Sequence, residues 1–158
     1  MTNEEQTYSW KRETQVEMAD WLSKWQWNWI LHLTFGTPVN LRSATWRIKQ
    51  WLKGIAARVA NPLGYYINPE QPHSHDRPHA HGVLAGVGDA APKDAAKLWR
   101  KRNGIVRIET FDPERGGLRY VTKNAVDGEF LLSVEGIPCN DDTYSKSEQR
   151  CPELVDAA

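Results

Sequence analysis

The feature of the sequence that most constrains its fold is a pair of short apolar runs separated by a short polar stretch. Residues 63–70 read LGYYINPE and residues 78–86 read PHAHGVLAG, and both runs have the length and composition of β-strands. The stretch between them, QPHSHDR, is short and polar, as the connection of a hairpin should be. We therefore expect the two runs to pair as neighbouring strands.

The remaining segments alternate between helical and strand patterns around this hairpin. Apolar residues at helical spacing predict helices, and short β-branched or aromatic runs that end at glycine or proline predict strands. The helices are predicted over 10–26, 40–60, 92–103 and part of 112–126, and the further strands over 27–36, 105–111 and 129–134. This order predicts an α+β domain with a central, mainly antiparallel β-sheet of about five strands and helices packed against it.

The length of the chain limits the number of domains. A chain of 158 residues can form one domain with a substantial core and is too short for two comfortable ones. We expect residues 1–136 to form this single domain, beginning with an N-terminal helix. After Gly136 the sequence is polar and has no periodicity, so we expect residues 137–158 to form a flexible tail.

Two observations bear on the cellular location. No apolar run approaches the roughly 18 residues of a membrane span. The first residues, MTNEEQTYSWKRE, are polar and acidic and lack the basic and apolar segments of a signal peptide. We therefore expect a cytoplasmic protein with no membrane partner.

The charge of the chain is distributed unevenly along its length. The formal net charge is zero, but residues 21–133 contain 16 basic and 9 acidic side chains, whereas the two ends contain 4 and 11. A basic centre between acidic ends indicates a polyanionic partner, although either basic cluster alone would also fit a solvated helix face. The first cluster contains Arg42, Arg47, Lys49, Lys53 and Arg58, and the second contains Lys93, Lys97, Arg100, Lys101, Arg102 and Arg107.

A pair of histidines stands in the second run of the hairpin. Successive side chains of a strand point to opposite faces, so His79 and His81 share one face and Ala80 points to the other. If the hairpin forms, Glu70 can lie across from them, and two imidazoles with a carboxylate make a workable site for a divalent ion such as Mn²⁺ or Mg²⁺, with Zn²⁺ as an alternative. His75 in the connection is the rival third ligand. Alternatively, the histidines lie on a solvent-facing strand and bind no metal.

The segment LRYVTKN, residues 118–124, contains a second group of reactive side chains. On a helix Tyr120 and Lys123 project from the same face, with Asn124 beside them. A tyrosine hydroxyl has an ordinary pKa near 10, so as a nucleophile it needs a nearby positive charge. Lys123 can supply this charge or hold a phosphate. The alternative is a half-buried tyrosine covered by the stem of a lysine.

Three motifs in order, LHLTF, RPHAHGV and YVTKN, are separated by about 45 and 40 residues. Together they resemble the three motifs of HUH endonucleases, and most closely those of the single-tyrosine initiator (Rep) proteins of rolling-circle plasmids and phages. The resemblance spans roughly residues 28–130. It implies a sheet-centred fold in which the histidine strand lies in mid-sheet and the tyrosine helix lies over the metal.

The resemblance also implies residue roles. His79 and His81 match the metal ligands, Tyr120 the nucleophile and Lys123 its assisting cation. In many members a glutamate just upstream of the histidines is the third ligand, which points to Glu70.

The function implied is a metal-dependent, sequence-specific endonuclease and strand transferase for single-stranded DNA. It would initiate rolling-circle replication through a 5′-phosphotyrosine intermediate, acting on a single-stranded or hairpin origin with a host helicase and polymerase as partners. A transposase or mobilisation relaxase with the same chemistry, and a non-catalytic DNA-binding module, remain alternatives. The residues expected to contact DNA are Arg42, Arg47, Lys49, Lys53, Arg77, Lys97, Arg100, Arg119 and Asn124.

Overall fold

The structure, a computed structural model, describes residues 2–70, 77–126 and 128–140. Its elements follow the predicted order of helices and strands. The helices are α1 (Asn3–Leu22), α2 (Leu41–Ala56), α3 (Pro92–Arg100) and α4 (Gly117–Val121). The strands are β1 (Trp29–Phe35), β2 (Gly64–Glu70), β3 (His79–Ala85), β4 (Gly104–Thr110) and β5 (Leu131–Ser133). The predicted α+β class is confirmed.

The five strands form one antiparallel sheet in the order β4-β1-β3-β2-β5. β2 and β3 pair as the predicted hairpin, with Glu70 opposite His79 and Asn68 opposite His81. The histidine strand β3 is the central strand of the sheet. This position gives its side chains neighbours on both sides, from β1 and from β2.

One face of the sheet, here called the core face, is covered by α2 and α3. Strand alternation directs Leu31, Leu33, Ala80 and Leu84 to this face, where all four are buried. They belong to one apolar cluster with side chains of the two helices, including Ile48, Trp51 and Trp99. Burial of these side chains provides the main hydrophobic stabilisation of the sheet.

The opposite face, here called the site face, carries the other residues of the alternation. Val83 and Tyr66 lie on it in a second apolar cluster, together with Leu22 of α1 and Val121 of α4. His32 of β1 remains exposed on this face. The site face is therefore covered only in part, and it is the face to which His79 and His81 point.

Helix α1 begins seven residues earlier than the sequence pattern predicts. Thr2 and Glu5 form a capping box: the Thr2 hydroxyl accepts from the Glu5 amide at 3.2 Å, and the Glu5 carboxylate accepts from the Thr2 amide at 2.7 Å. The first turns are polar and exposed, so apolar periodicity does not reveal them.

The helices in the described part of the chain do not meet the requirements of a membrane span. None of them combines the length and the apolar character that such a span needs.

The segment 112–126, predicted as a short helix, is divided. A 3₁₀ turn over Pro113–Arg115 ends at Gly116, whose φ of +68° is left-handed, and α4 begins only at Gly117. At Gly117 a Cβ would lie 2.7 Å from the Ile30 side chain, so the absent side chain allows α4 to approach the sheet closely.

The folded part of the chain continues beyond residue 136. Ile137 is buried in the apolar cluster of the site face. The Asn140 amide donates to the Lys24 carbonyl at 2.6 Å, which fixes this segment beside the end of α1. Residues 137–140, assigned to the tail by the sequence pattern, therefore pack on the domain. The rest of the predicted tail, 141–158, lies outside the described residues.

Candidate metal and tyrosine site

The hairpin brings together the three predicted metal ligands. Glu70, His79 and His81 project from the site face at one end of β2 and β3. The Glu70 Oε2 atom lies 2.7 Å from His79 Nε2 and 3.9 Å from His81 Nε2. One ligand atom from each residue lies within 4.8 Å of the other two. The three side chains therefore converge on one point.

The chemistry of these donors fits a divalent cation. Burial, followed by the positive charges of His32, Lys123 and His79, lowers the pKa of His81 to about 3, so its imidazole is neutral at physiological pH. A neutral imidazole is the form that binds a metal. The Glu70 Oε1 atom is buried without a hydrogen-bond partner among the described residues. The site thus contains one neutral nitrogen and a buried carboxylate oxygen, which lies 3.6 Å from the Lys123 ammonium.

The backbone orients His79. Its Nδ1 atom donates to the Arg77 carbonyl at 3.2 Å, because a carbonyl oxygen can only accept. The Nε2 atom is therefore the one that faces Glu70. A ligating histidine usually has this arrangement, with one nitrogen held by the protein and the other directed to the metal.

Tyr120 of α4 lies directly beside the triad. Its hydroxyl is 3.5 Å from His81 Nε2, and the two rings meet edge to face with centroids 4.8 Å apart. The side chain is nevertheless 48% exposed. The hydroxyl is thus near the ligand atoms while the side chain stays accessible to a substrate.

Lys123 reaches the same place, although α4 ends at Val121. Its amide donates to the Tyr120 carbonyl at 3.3 Å in the turn that follows the helix. The ammonium lies 4.6 Å from the centroid of the Tyr120 ring and 3.6 Å from Glu70 Oε1. A cation–π contact and an ion pair therefore place one positive charge beside both the phenol and the triad.

Helix α1 holds α4 in position. The Gln15 side-chain amide donates to the Arg119 carbonyl at 2.6 Å, directly before Tyr120. The Thr122 hydroxyl donates to the Leu118 carbonyl at 2.7 Å and closes the end of α4. A helix of five residues is not stable alone in water, so these contacts and the packing of Val121 determine where Tyr120 lies.

His32 is a member of this group that we did not identify from the sequence. It stands opposite His81 in the β1–β3 pairing, with ring centroids 4.3 Å apart, and its ring stacks on that of His79 at 5.8 Å. Burial and the charge of His79 lower its pKa, against the opposing charge of Glu70. The sequence signal for His32 was the alternation of side chains in LHLTF, which places His32 on the opposite face of the strand from Leu31 and Leu33.

Asn68 is a second such residue. It is fully buried next to His81, and neither atom of its amide has a well-formed hydrogen bond among the described residues. The Asn68 side chain interacts with that of Tyr66. A buried polar group without a well-formed hydrogen bond is unfavourable by about 1–3 kcal/mol and is uncommon in native proteins. The one sequence signal was an asparagine inside the apolar run YYINPE.

The residues predicted to contact DNA fall into two groups. Arg77, Arg119 and Asn124 lie in the segments that carry the triad and Tyr120. The others lie on the helices of the core face: Arg42, Arg47, Lys49 and Lys53 on α2, and Lys97 and Arg100 on α3. The sheet separates this second group from Tyr120.

The rival third metal ligand, His75, lies outside the described residues.

Comparison with known proteins assigns the chain to no family. No protein-family model matches the chain, and no curated protein or solved structure matches it either. A function must therefore be inferred from the site itself and from its sequence motifs.

Proposed function

We propose that this protein is a metal-dependent endonuclease and strand transferase for single-stranded DNA that initiates rolling-circle replication at a single-stranded or hairpin origin. The observation that carries the proposal is the distance of 3.5 Å between the Tyr120 hydroxyl and His81 Nε2. A nucleophile of this kind beside three convergent metal ligands is the combination that tyrosine-dependent cleavage of a phosphodiester requires.

Glu70, His79 and His81 would hold the divalent ion, Mn²⁺ or Mg²⁺. When bound, the ion supplies a Lewis acid for a non-bridging oxygen of the scissile phosphate. The donor set of one carboxylate and two imidazoles suits such an ion.

Tyr120 attacks the phosphorus through its hydroxyl oxygen. The bond between phosphorus and the 3′-oxygen breaks, and a bond between phosphorus and the tyrosine oxygen forms, so the 5′-phosphate stays on the protein as an ester. The proton lost by the phenol is balanced by the proton gained by the departing 3′-oxygen. Attack of another 3′-hydroxyl on the ester reverses the reaction and rejoins a strand. The released 3′ end can prime a host polymerase behind a host helicase.

Lys123 stabilises the negative charge that develops during this exchange. Its ammonium already lies beside the Tyr120 ring and close to Glu70. A fixed positive charge at this position favours the transition state, in which charge accumulates on the tyrosine oxygen and the phosphate. A transposase or a mobilisation relaxase would use the same residues in the same way and differ in the DNA that it recognises.

A non-catalytic DNA-binding module is the second candidate, and one observation favours it. His79 Nε2 lies 2.7 Å from Glu70 Oε2, the distance of a direct ion pair. In that account the triad is a structural ion pair that fixes the end of the hairpin, and Tyr120 packs on it.

The formation of a covalent adduct separates the two candidates. The protein is incubated with Mn²⁺ and single-stranded DNA from the region that flanks its gene, and the products are separated on a denaturing gel. We expect a protein–DNA adduct that Tyr120→Phe eliminates, because this change removes one oxygen and almost no volume. Tyr8→Phe is the matched control, since Tyr8 is exposed on α1. Adduct formation by Tyr120→Phe equal to that of the unaltered protein would show that Tyr120 is not the nucleophile. The absence of any adduct from the unaltered protein would favour the module.

A further inference from the structure

The core-face helices carry an excess of positive charge on their outer surface. α2 contains four basic residues and no acidic one, and residues 92–102 contain five basic residues and one acidic residue, Asp94. Eight of these nine side chains are exposed, and Arg47 is partly buried. Among the described residues, none of the nine forms an ion pair with a carboxylate. These nine residues are here called the basic face: Arg42, Arg47, Lys49, Lys53, Lys93, Lys97, Arg100, Lys101 and Arg102.

The basic face cannot contact the nucleotide that Tyr120 would attack. The buried side chains of α2 and α3, such as Ile48 and Trp99, lie against the opposite side of the sheet from His81. A full layer of sheet and helix, about 10 Å thick, therefore separates the two surfaces. A polyanion that uses both must pass around an edge of the sheet.

The edge formed by β4 offers such a route. β4 is the outermost strand at its end of the sheet, so no other strand covers its outer side. Arg100, Lys101 and Arg102 end α3 and precede β4, and all three are exposed. On β4 itself, Arg107 stands opposite His32, and its side chain is 75% exposed. Basic side chains thus extend from the site face around this edge to α3.

The ion pair on β4 does not prevent Arg107 from binding a phosphate. Arg107 Nη2 lies 2.6 Å from Glu109 Oε1, and both side chains are exposed. Exposed pairs of this kind contribute little and are screened by salt. A phosphate can therefore replace the Glu109 carboxylate as the partner of Arg107.

An aromatic side chain beside the basic face indicates the kind of nucleic acid that would suit this surface. Trp46 is 61% exposed on α2, and Arg42 and Lys49 lie one turn before and after it on the same side of the helix. An exposed indole between cations is suited to stacking on an unpaired base while the cations hold the phosphates. A base paired inside a duplex has no free face for this contact.

We infer that the DNA single strand continues from the cleavage site around the β4 edge and binds the basic face, with a base stacked on Trp46. This inference rests on the proposed function for the position of the cleaved nucleotide. The basic face is then a second binding surface for the same strand, and it adds affinity only for strands long enough to reach it.

The first test compares the binding of a short and a long single strand, of about 8 and about 25 nucleotides, by fluorescence anisotropy at several salt concentrations. We expect tighter binding and a steeper salt dependence for the long strand. In Arg100→Gln/Arg102→Gln, the salt slope for the long strand should fall by about 1.4, because each lost phosphate contact removes about 0.7. Binding of the short strand should not change. Arg12→Gln/Lys24→Gln is the matched control and should leave both strands unaffected.

The second test uses the two exposed tryptophans. Trp46→Ala should weaken binding of the long strand at least about fivefold, as expected for the loss of one stacked base. Trp10→Ala is the control, because Trp10 is comparably exposed but lies on α1. An equal effect of the two changes, no advantage of the long strand, or tighter binding of a duplex of equal length would overturn the inference.

These results are distinguishable from a failure of the proposed function. Binding is measured with the Tyr120→Phe protein, so cleavage is not needed for the readout. Adduct formation by the unaltered protein without any length effect would contradict only the second surface. A length effect that depends on Arg100 and Arg102, without any adduct, would contradict only the enzymatic proposal.

Discussion

The two faces of the central strand β3 bury different kinds of side chain. On the core face, Ala80 and Leu84 lie in a continuous apolar cluster. On the site face, His81 is equally buried but is surrounded by ionisable groups. Among the described residues, six side-chain polar atoms are buried without a well-formed hydrogen bond; five belong to Trp25, Tyr66, Asn68 and Glu70 on the site-face side, and one belongs to Thr45 of α2.

This difference locates the polar groups whose burial lowers the stability of the folded protein. Buried polar atoms without a well-formed hydrogen bond destabilise the folded state, and native proteins retain few of them. Their concentration around Glu70 and Asn68 is expected if this face binds a ligand that completes their contacts. The core face, in contrast, is expected to contribute stability alone. A change on one face should therefore leave the property that depends on the other face nearly unaltered.

The largest effect is expected from loss of a metal ligand. His79→Ala should weaken Mn²⁺ binding at least about a hundredfold, because even residues that only support a ligand alter affinity by about 10- to 100-fold. Titration calorimetry measures this affinity, and cleavage should be lost with it. His79 is preferable to His81 because alanine in place of the buried His81 also leaves a cavity.

His32→Ala is the control for this experiment. His32 contacts both histidines by its ring but is not part of the convergent triad. Its loss should change the affinity for Mn²⁺ much less than the loss of His79. An unchanged affinity in His79→Ala would show that the triad does not bind the ion.

A change on the core face should lower the stability of the protein and leave its metal binding and cleavage nearly unaltered. Leu33 is fully buried in the apolar cluster of this face, so Leu33→Ala should lower the free energy of unfolding by about 2–5 kcal/mol. Urea denaturation measures this loss. The Mn²⁺ affinity and the cleavage rate of the remaining folded protein should be close to those of the unaltered chain. A selective loss of metal binding would mean that the faces are coupled.

Removal of the positive charge beside Tyr120 should have an intermediate effect on the reaction. Lys123→Ala should slow single-turnover cleavage by about 10- to 100-fold without abolishing it, since the metal ligands still act on the phosphate. Lys123→Arg keeps the charge and should restore part of the rate. If Lys123→Ala cleaves as fast as the unaltered protein, the ammonium has only a packing role.

A pH dependence of stability is also expected. The pKa of His81 is about 3 in the folded protein and has its ordinary value of 6.5 in the unfolded chain. Between these values the unfolded chain binds a proton that the folded protein does not. The free energy of unfolding should therefore decrease as the pH falls below about 6.5, by at most about 1.4 kcal/mol per pH unit from this group.

The contribution of His81 is isolated by comparison with His81→Asn in the presence of a chelator. The variant lacks the titrating group, so its unfolding free energy should decrease less steeply between pH 6.5 and pH 4. Parallel curves for the two proteins would mean that His81 is not responsible.

Much of the fold could be predicted because it depends on local signals. The Asn40 side chain caps α2 by accepting from the Ser43 amide at 2.8 Å, which is a common role of an asparagine directly before a helix. The short polar connection between β2 and β3 predicted their pairing, and this pairing placed Glu70 beside His79. The triad was predictable because all three residues belong to one hairpin.

Other features depend on contacts between distant segments and were not predictable. His32 joins the site only because β1 lies next to β3, and no local pattern gives that neighbour. The separation of the basic residues from Tyr120 likewise follows from the sides of the sheet on which α2 and α3 pack. The segment 112–126 is divided because Gly116 adopts a left-handed backbone conformation. The sequence contains two adjacent glycines and does not show which of them adopts it.

The most direct test of the central claim is mass spectrometry of the protein after it has been trapped with its DNA. The protein–DNA adduct is digested with nuclease and protease, and the peptide that retains a nucleotide is sequenced. Our account predicts a 5′-linked nucleotide on Tyr120 and on no other residue. A nucleotide on Tyr8, Tyr65, Tyr66 or Tyr144, or the absence of any modified peptide with the origin strand and Mn²⁺ present, would contradict it.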